Sequence, residues 1–238
     1  MKGPNVIDLI NSSKKPLFTF ELLPPLKGHS IDRIYHTIEG LLEYEPAYIN
    51  FTSHRNEVVL TERPDGLLEK RTTRKRPGTI ALAAAVKYKY NVNVVPHILC
   101  GGFSKEETEN ALIEMNFLGI NDVLALRGDP PKGSRVFIPD PGGHKNTNEL
   151  VQQIADMNRG HYLDPDLKNT APTSFCIGVA GYPEKHFEAP NLRSDMVNLK
   201  RKVDAGAGYI GTLMFFDNEK FYAFRDEVRA MGVTVPLI

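Results

Sequence analysis

Strand-like and helix-like segments alternate along the whole chain, and this alternation constrains its fold more than any other feature. Short apolar runs that predict strands cover residues 16–22, 47–52, 93–100, 122–126, 174–180 and 209–216. Segments with apolar side chains at helical spacing, or with helix capping signals, cover residues 30–44, 79–90, 104–118, 146–159, 193–205 and 219–230. Repeated strand–helix units favour a parallel sheet that is covered by helices.

Two α/β architectures fit this alternation, the closed barrel and the open doubly wound sheet. Side chains alternate between the two faces of a strand, so a polar and an apolar set are expected on opposite faces. The polar set is Thr19, Glu21, Asn50, Thr52, His97 and Arg127, and the apolar set is Phe18, Phe20, Ile49, Phe51, Leu124 and Leu126. Because barrel active sites lie at the carboxyl ends of the strands, we predict a single α/β domain over residues 1–238, a (β/α)8 TIM-type barrel.

The barrel is expected to be incomplete, because only seven strands are visible and the seventh begins at residues 233–238. An unclosed barrel exposes strand edges, which favour pairing with a partner. We therefore expect either a fragment or a barrel that something else closes, and we expect a homo-oligomer.

Charge and composition exclude several classes of function. Lys plus Arg and Asp plus Glu are both 29, which gives no electrostatic case for nucleic acid. No apolar run approaches the ~20 residues of a membrane helix, and residues 1–15 lack a secretory apolar core, so a cytoplasmic protein without membrane contact is expected. Cys100 and Cys176 lie in apolar runs and are predicted to be buried thiols. No spacing of ligand residues indicates a metal site.

Glu21 ends the first predicted strand among apolar neighbours. Desolvation there would raise its pKa and make it available as a general acid near neutral pH. Two alternatives stay open: a strand-end glutamate that faces water, or a glutamate paired with Arg127.

The segment 126–131 ends the fourth predicted strand with a fixed cation (Arg127), a flexible glycine (Gly128), a carboxylate (Asp129) and a rigid proline turn. This combination suits the binding of a polar heterocycle, and a plain turn is the alternative.

A second polar group follows the fifth predicted strand, where Tyr182 and His186 precede a charged helix. Asp195, Asn198 and Lys202 share one face of that helix, with Arg201 beside them. Such a face can bind ribose hydroxyls and a diphosphate, and a solvated, salt-bridged face is the alternative.

Two further patterns are interpreted as structural. Gly206, Gly208 and Gly211 match the dinucleotide fingerprint but lie between a helix and the following strand, which is the wrong context. We interpret them as a helix stop and a tight loop. The basic residues between positions 70 and 76 are expected to form a solvated connection.

Five segments together resemble the bacterial methylenetetrahydrofolate reductases over nearly the whole chain. They are residues 18–25 (FTFELLPP), 96–97 (PH), 124–129 (LALRGD), 182–186 (YPEKH) and 198–207 (NLKRKVDAGA). Their order, spacing and position at strand ends carry the resemblance.

The resemblance implies a barrel that holds FAD at its carboxyl-terminal face. NADH or NADPH would reduce the flavin, and 5,10-methylenetetrahydrofolate would then be reduced to 5-methyltetrahydrofolate for one-carbon metabolism and methionine synthesis. The residues implied to contact FAD are Thr52, His97, Leu126, Arg127, Gly128, Asp129, Tyr182, His186, Asp195, Asn198, Arg201 and Lys202. Glu21 would be the general acid, Asp129 would stabilise a cationic intermediate, and Glu21, Asp129 and Leu213 would contact the folate.

The sequence departs from the family pattern at two site positions. The family usually has a glutamine where this chain has Leu213, and leucine cannot make the hydrogen bonds of that amide. Asn146 stands where a flavin-contacting tyrosine is common. These departures, with the early end of the barrel pattern, leave a catalytically impaired or non-enzymatic flavin- or folate-binding homologue as the alternative to an active reductase.

Overall fold

The computed structural model describes residues 3–131 and 133–238, and its main sheet has six parallel strands. The strands of this sheet are β1 (Thr19–Leu22), β2 (Tyr48–Phe51), β5 (Val94–Leu99), β6 (Asp122–Leu126), β7 (Cys176–Gly181) and β8 (Tyr209–Thr212). The helices are α1 (Val6–Ser12), α2 (Asp32–Leu41), α3 (Thr79–Tyr90), α4 (Lys105–Phe117), α5 (Thr147–Met157), α6 (Leu192–Asp204) and α7 (Asn218–Ala230). A 3-10 turn at Leu42–Tyr44 extends α2. None of the helices in the described ranges is long and apolar enough to cross a membrane.

The sheet runs in the order β1, β2, β5, β6, β7, β8, with a helix in every connection. This is the incomplete α/β barrel that the sequence predicts. The expected seventh strand at residues 233–238 is reduced to one parallel bridge between Ile210 and Leu237. The Ile210 N–H donates to the Pro236 carbonyl over 2.9 Å, and the Ile238 N–H donates to the Ile210 carbonyl over 2.8 Å.

The two faces of the sheet have different neighbours. On the outer face, fully buried side chains such as Ile49, Phe51 and Val123 pack under the helices in the main hydrophobic cluster. On the inner face, Tyr48, Val95, Cys176 and Tyr209 form a second, smaller cluster with α1.

The prediction that Leu124 and Leu126 lie opposite the polar set is wrong. Leu124 pairs in register with His97, and Leu126 pairs with Leu99, so these side chains share the inner face with His97. The error arose because Arg127 lies beyond the last residue of β6, where strand alternation no longer applies.

Helix α1 closes the amino-terminal end of the barrel and was not predicted. Its signal is a capping box in which the side chains of Asn5 and Asp8 each accept the other residue's backbone N–H. The Val6 N–H donates to the buried Asp122 carboxylate over 2.9 Å. Burial, the largest effect, raises the pKa of Asp122 to about 6.

Both cysteines are free and buried, as predicted, and burial raises the pKa of each thiol to about 12.

The predicted capping signal at the start of α4 is also confirmed. The Ser104 N–H donates to the Glu107 carboxylate over 2.7 Å, and the Glu107 N–H donates back to the Ser104 hydroxyl over 3.2 Å. Gly206 follows α6 with φ +123°, as expected for a helix stop before β8.

The connection after β2 is largely exposed to solvent, as expected, but its secondary structure was not predicted. It forms an antiparallel hairpin of β3 (Glu57–Glu62) and β4 (Leu68–Thr73), paired over its full length. The sequence signal is Pro64-Asp65-Gly66 between two β-rich runs, with Gly66 at φ +78° in the turn.

The close approach of Tyr209 to Gly178 gives the first prediction. A Cβ at position 178 would overlap the ring of Tyr209, which is 2% exposed and confined by the inner cluster. We expect Gly178→Ala to lower the free energy of unfolding by about 1–3 kcal/mol, measured by urea denaturation. Gly211→Ala in β8 is the matched control, because nothing lies within 4 Å of its added Cβ. Equal urea midpoints for the two variants would contradict the prediction.

Candidate active site

A cleft of about 1380 Å³ opens at the carboxyl ends of the strands. It is larger than the roughly 300–1,000 Å³ of most small-molecule pockets, so it has room for more than one ligand. All the site residues predicted from the sequence line it: Glu21, Thr52, His97, Leu126, Arg127, Gly128, Asp129, Tyr182, His186, Asp195, Asn198, Arg201, Lys202 and Leu213.

Glu21 and His97 face each other at the β1 side of the cleft. The Glu21 Oε2 atom lies 3.5 Å from His97 Nε2, and the His97 side chain is only 6% exposed. Burial, with a smaller contribution from His54, lowers the pKa of His97 to about 4, so this imidazole is uncharged at neutral pH. Partial burial raises the pKa of Glu21 above its ordinary value. The carboxyl group therefore holds its proton to higher pH than an ordinary glutamate, as a general acid requires.

The Glu21 side chain is 56% exposed, so the alternative that it faces water holds in part. Arg127 does not pair with Glu21, which was the other alternative. Its guanidinium lies 2.6 Å from the Glu188 carboxylate, and both side chains are about one-fifth exposed, at 23% and 21%. The guanidinium also lies over the Phe137 ring, 5.0 Å from its centroid. Arg127 is thus held between an anion and an aromatic face, with its charge balanced by Glu188.

The turn after β6 depends on Gly128, which has φ +84° beside Leu99. Only a residue without a Cβ adopts this conformation readily, so the glycine lets the chain turn sharply into Asp129. The Asp129 side chain is exposed to the cleft, and its backbone carbonyl lies 3.5 Å from the Arg55 guanidinium.

Helix α6 and the loop before it form the basic side of the cleft. Lys202 Nζ donates to the Ala180 carbonyl over 2.6 Å, and burial lowers the pKa of Lys202 to about 8. Arg201 donates to the Asn198 amide oxygen over 3.2 Å. Asp195 accepts the backbone N–H of His186 over 2.8 Å and so fixes the loop to the helix.

The rings of Tyr182 and His186 meet edge to face, with centroids 4.7 Å apart. The His186 Nδ1 atom lies 3.2 Å from the Glu188 backbone nitrogen, which donates to it. This hydrogen bond connects the α6 side of the cleft to Glu188, whose carboxylate pairs with Arg127.

Several cleft residues were missed from the sequence, among them Glu188, His54 and Tyr209. Glu188 follows the Tyr182–His186 motif by two residues, and that adjacency was the available signal. His54 and Tyr209 had none, because an isolated histidine or a tyrosine at a strand start is common in any barrel. His54 interacts electrostatically with His97 and Asp129, and the Tyr209 hydroxyl is buried without a hydrogen-bond partner in the described residues. Leu213 and Asn146, the two departures, both lie on the cleft.

A family model for methylenetetrahydrofolate reductase matches residues 6–238 of the chain. The chain belongs to the methylenetetrahydrofolate reductase family. It is 29% identical to methylenetetrahydrofolate reductase (NADH) 1 of Arabidopsis thaliana over all of this chain and 37% of the relative. It is 28% identical to 5,10-methylenetetrahydrofolate reductase of Escherichia coli over 92% of this chain and 62% of the relative. The chain thus spans less than two thirds of these relatives.

A solved structure shares the fold of this reductase-family chain. It is an uncharacterized protein from Clostridium thermocellum described as binding two copies of 5-methyl-5,6,7,8-tetrahydrofolic acid. The TM-score is 0.50 at 11% sequence identity, over 97% of this chain and 66% of that protein. At this identity the comparison supports the fold alone.

Lys202 gives the second prediction, with inorganic pyrophosphate as the probe. A buried ammonium binds an anion only when protonated, so we expect pyrophosphate affinity to fall as pH rises through about 8. Lys202→Met should weaken binding by about 1.5–3 kcal/mol, or roughly 10- to 150-fold, in titration calorimetry. Lys200→Met is the matched control, because Lys200 pairs with Asp204 over 2.8 Å outside the cleft. Equal losses in the two variants would exclude a specific role for Lys202.

Proposed function

We propose that the chain carries the site for reduction of 5,10-methylenetetrahydrofolate to 5-methyltetrahydrofolate by NADH or NADPH through bound FAD. The observation that carries this proposal is the position of Glu21, whose pKa is raised, 3.5 Å from the uncharged imidazole of His97 in the cleft that also holds the α6 cations. Membership of the reductase family supports it.

The residues of the cleft fit FAD. The Thr52 hydroxyl is buried without a hydrogen-bond partner in the described ranges, and His97 Nε2 likewise makes no hydrogen bond there. Buried polar atoms are normally paired, so these two are suited to a polar ligand. Lys202 and Arg201 would hold the diphosphate and Asp195 a ribose hydroxyl. Arg127, Gly128 and Asp129, together with Leu126, Tyr182, His186 and Asn198, would surround the rest of the cofactor.

A bound flavin would supply the hydride chemistry, accepting hydride from the nicotinamide and passing it to the folate in a ping-pong sequence. Glu21 would donate a proton to the ring nitrogen that leaves when the imidazolidine ring of the folate opens. The carboxylate of Asp129 would stabilise the cationic iminium that results. The cleft walls would hold the two ring systems face to face.

Leu213 supports a second candidate function, a flavin- and folate-binding homologue with impaired turnover. Its side chain is 45% exposed on the cleft and offers no hydrogen bond to a pterin.

A cytoplasmic location belongs to the same proposal, since both substrates are small soluble molecules.

The visible flavin spectrum of the purified protein tests the proposal and gives the third prediction. We expect NADH to bleach bound flavin under anaerobic conditions and methylenetetrahydrofolate to restore the colour. Glu21→Gln should leave bleaching intact and slow recovery by about 100-fold or more, because it removes the proton donor. A protein that binds no added FAD would contradict the proposal, and equal recovery in Glu21→Gln would remove Glu21 from the mechanism.

Leu213→Gln gives the fourth prediction. The introduced amide could hydrogen-bond the folate, so we expect the flavin colour to return faster after methylenetetrahydrofolate is added. We also expect the KM for the folate to fall by roughly 5- to 10-fold, the effect of one hydrogen bond. The rate of bleaching by NADH should not change. Leu213→Met is the control, since it changes shape without adding a hydrogen-bonding group. Improvement in both variants would indicate a packing effect instead.

A further inference from the structure

The β3–β4 hairpin stands apart from the barrel. Its two strands pair with each other along their full length, and its base is tied to the loop after β1. There the Lys27 N–H donates to the Lys75 carbonyl over 2.9 Å, and Arg76 donates to the Pro24 carbonyl. An isolated two-stranded sheet is marginally stable in water, so a hairpin of this length benefits from a further packing partner.

One face of the hairpin is uncovered. The register pairs Leu60 with Lys70 and Glu62 with Leu68, so these four side chains project from the same face. All four are exposed, and the two leucines are 60% and 64% exposed. The opposite face is covered only at its base and at Glu69: Glu57, Glu69 and Thr73 are partly buried there, whereas Val59, Thr61 and Arg71 are exposed. Adjacent exposed leucines on a sheet are unusual in a surface that faces only water.

The four side chains form a square with a particular symmetry. The leucines occupy one diagonal, and Glu62 and Lys70 occupy the other. A two-fold axis along the line from Leu60 to Leu68 would place a second copy of this face against the first. Each leucine would then contact the same leucine of the other copy. The same rotation brings Lys70 of each copy opposite Glu62 of the other. The face is therefore complementary to itself in both apolar character and charge, which is the requirement for a two-fold interface.

We propose that this hairpin face is an interface between two copies of the chain, with Leu60 and Leu68 at its centre and two Lys70–Glu62 pairs around them. The face carries one positive and one negative charge, so it has no net charge to attract an acidic or a basic partner. A second copy satisfies both the leucines and the charges. The inference is independent of the proposed reductase activity.

A charge exchange measured by sedimentation equilibrium tests the interface. We expect the wild-type chain to dimerise, and Lys70→Glu or Glu62→Lys alone to raise the dimer dissociation constant at least tenfold, because each places like charges opposite each other. The double variant with both substitutions should restore the wild-type constant. Thr61→Lys is the control, because Thr61 projects from the opposite face. No flavin or folate is needed, so failure here is separate from failure of the proposed function.

Cross-linking provides a second measurement. Leu60 would lie opposite its own counterpart, so Leu60→Cys treated with diamide should give a disulfide-linked dimer on a non-reducing gel. The native thiols of Cys100 and Cys176 are buried and should not contribute. Thr61→Cys should remain monomeric on the gel. A wild-type chain that is monomeric at every concentration would overturn the proposal. So would a double variant that dissociates as readily as the single ones, or equal cross-linking of the two cysteine variants.

Discussion

Parallel pairing of the six strands is the constraint on which the rest of the structure depends. Because each strand is connected to the next through a helix, all of the strands point the same way and end at one edge. The helices bury the outer face of the sheet, which leaves polar side chains to the inner face. Glu21, His97 and Arg127 are distant in the chain and meet in one cleft because β1, β5 and β6 all end at the same edge of the sheet.

The elements that were predictable from the sequence are those with strong local signals. Strand β6 has the predicted bounds, and α4 begins at its predicted capping box. The hairpin was missed because its strands carry charges on both faces, so the apolar alternation that identifies a half-buried strand is weak. The face of Leu124 was mispredicted because strand alternation was counted back from Arg127, which lies beyond the last residue of β6.

The site divides in the same way. Residues within recognisable motifs, such as Glu21, Arg127 and Lys202, could be assigned to the cleft from the sequence. Glu188 could be suspected only from its position next to the Tyr182–His186 motif, because its contact with Arg127 spans sixty residues of sequence. Likewise, no pattern distinguishes a histidine like His54, whose interactions come entirely from neighbours that the fold brings to it.

The balance of charges in the cleft follows from the contact between Arg127 and Glu188. Arg127 is paired with Glu188, and the cations of α6 in the cleft are Lys202 and Arg201, with the Asp195 carboxylate close enough to Lys202 to stabilise its charge. Asp129 places a carboxylate in the cleft just after β6, and Glu21 keeps its proton to a higher pH than an ordinary glutamate does. An elongated ligand with an anionic end and an end that becomes cationic during reaction is therefore oriented by the field of the cleft. The Glu188 N–H donates to His186 Nδ1, and the His186 N–H donates to Asp195 of α6. The loop before α6 therefore positions both the carboxylate that pairs with Arg127 and the start of the helix that carries Lys202 and Arg201.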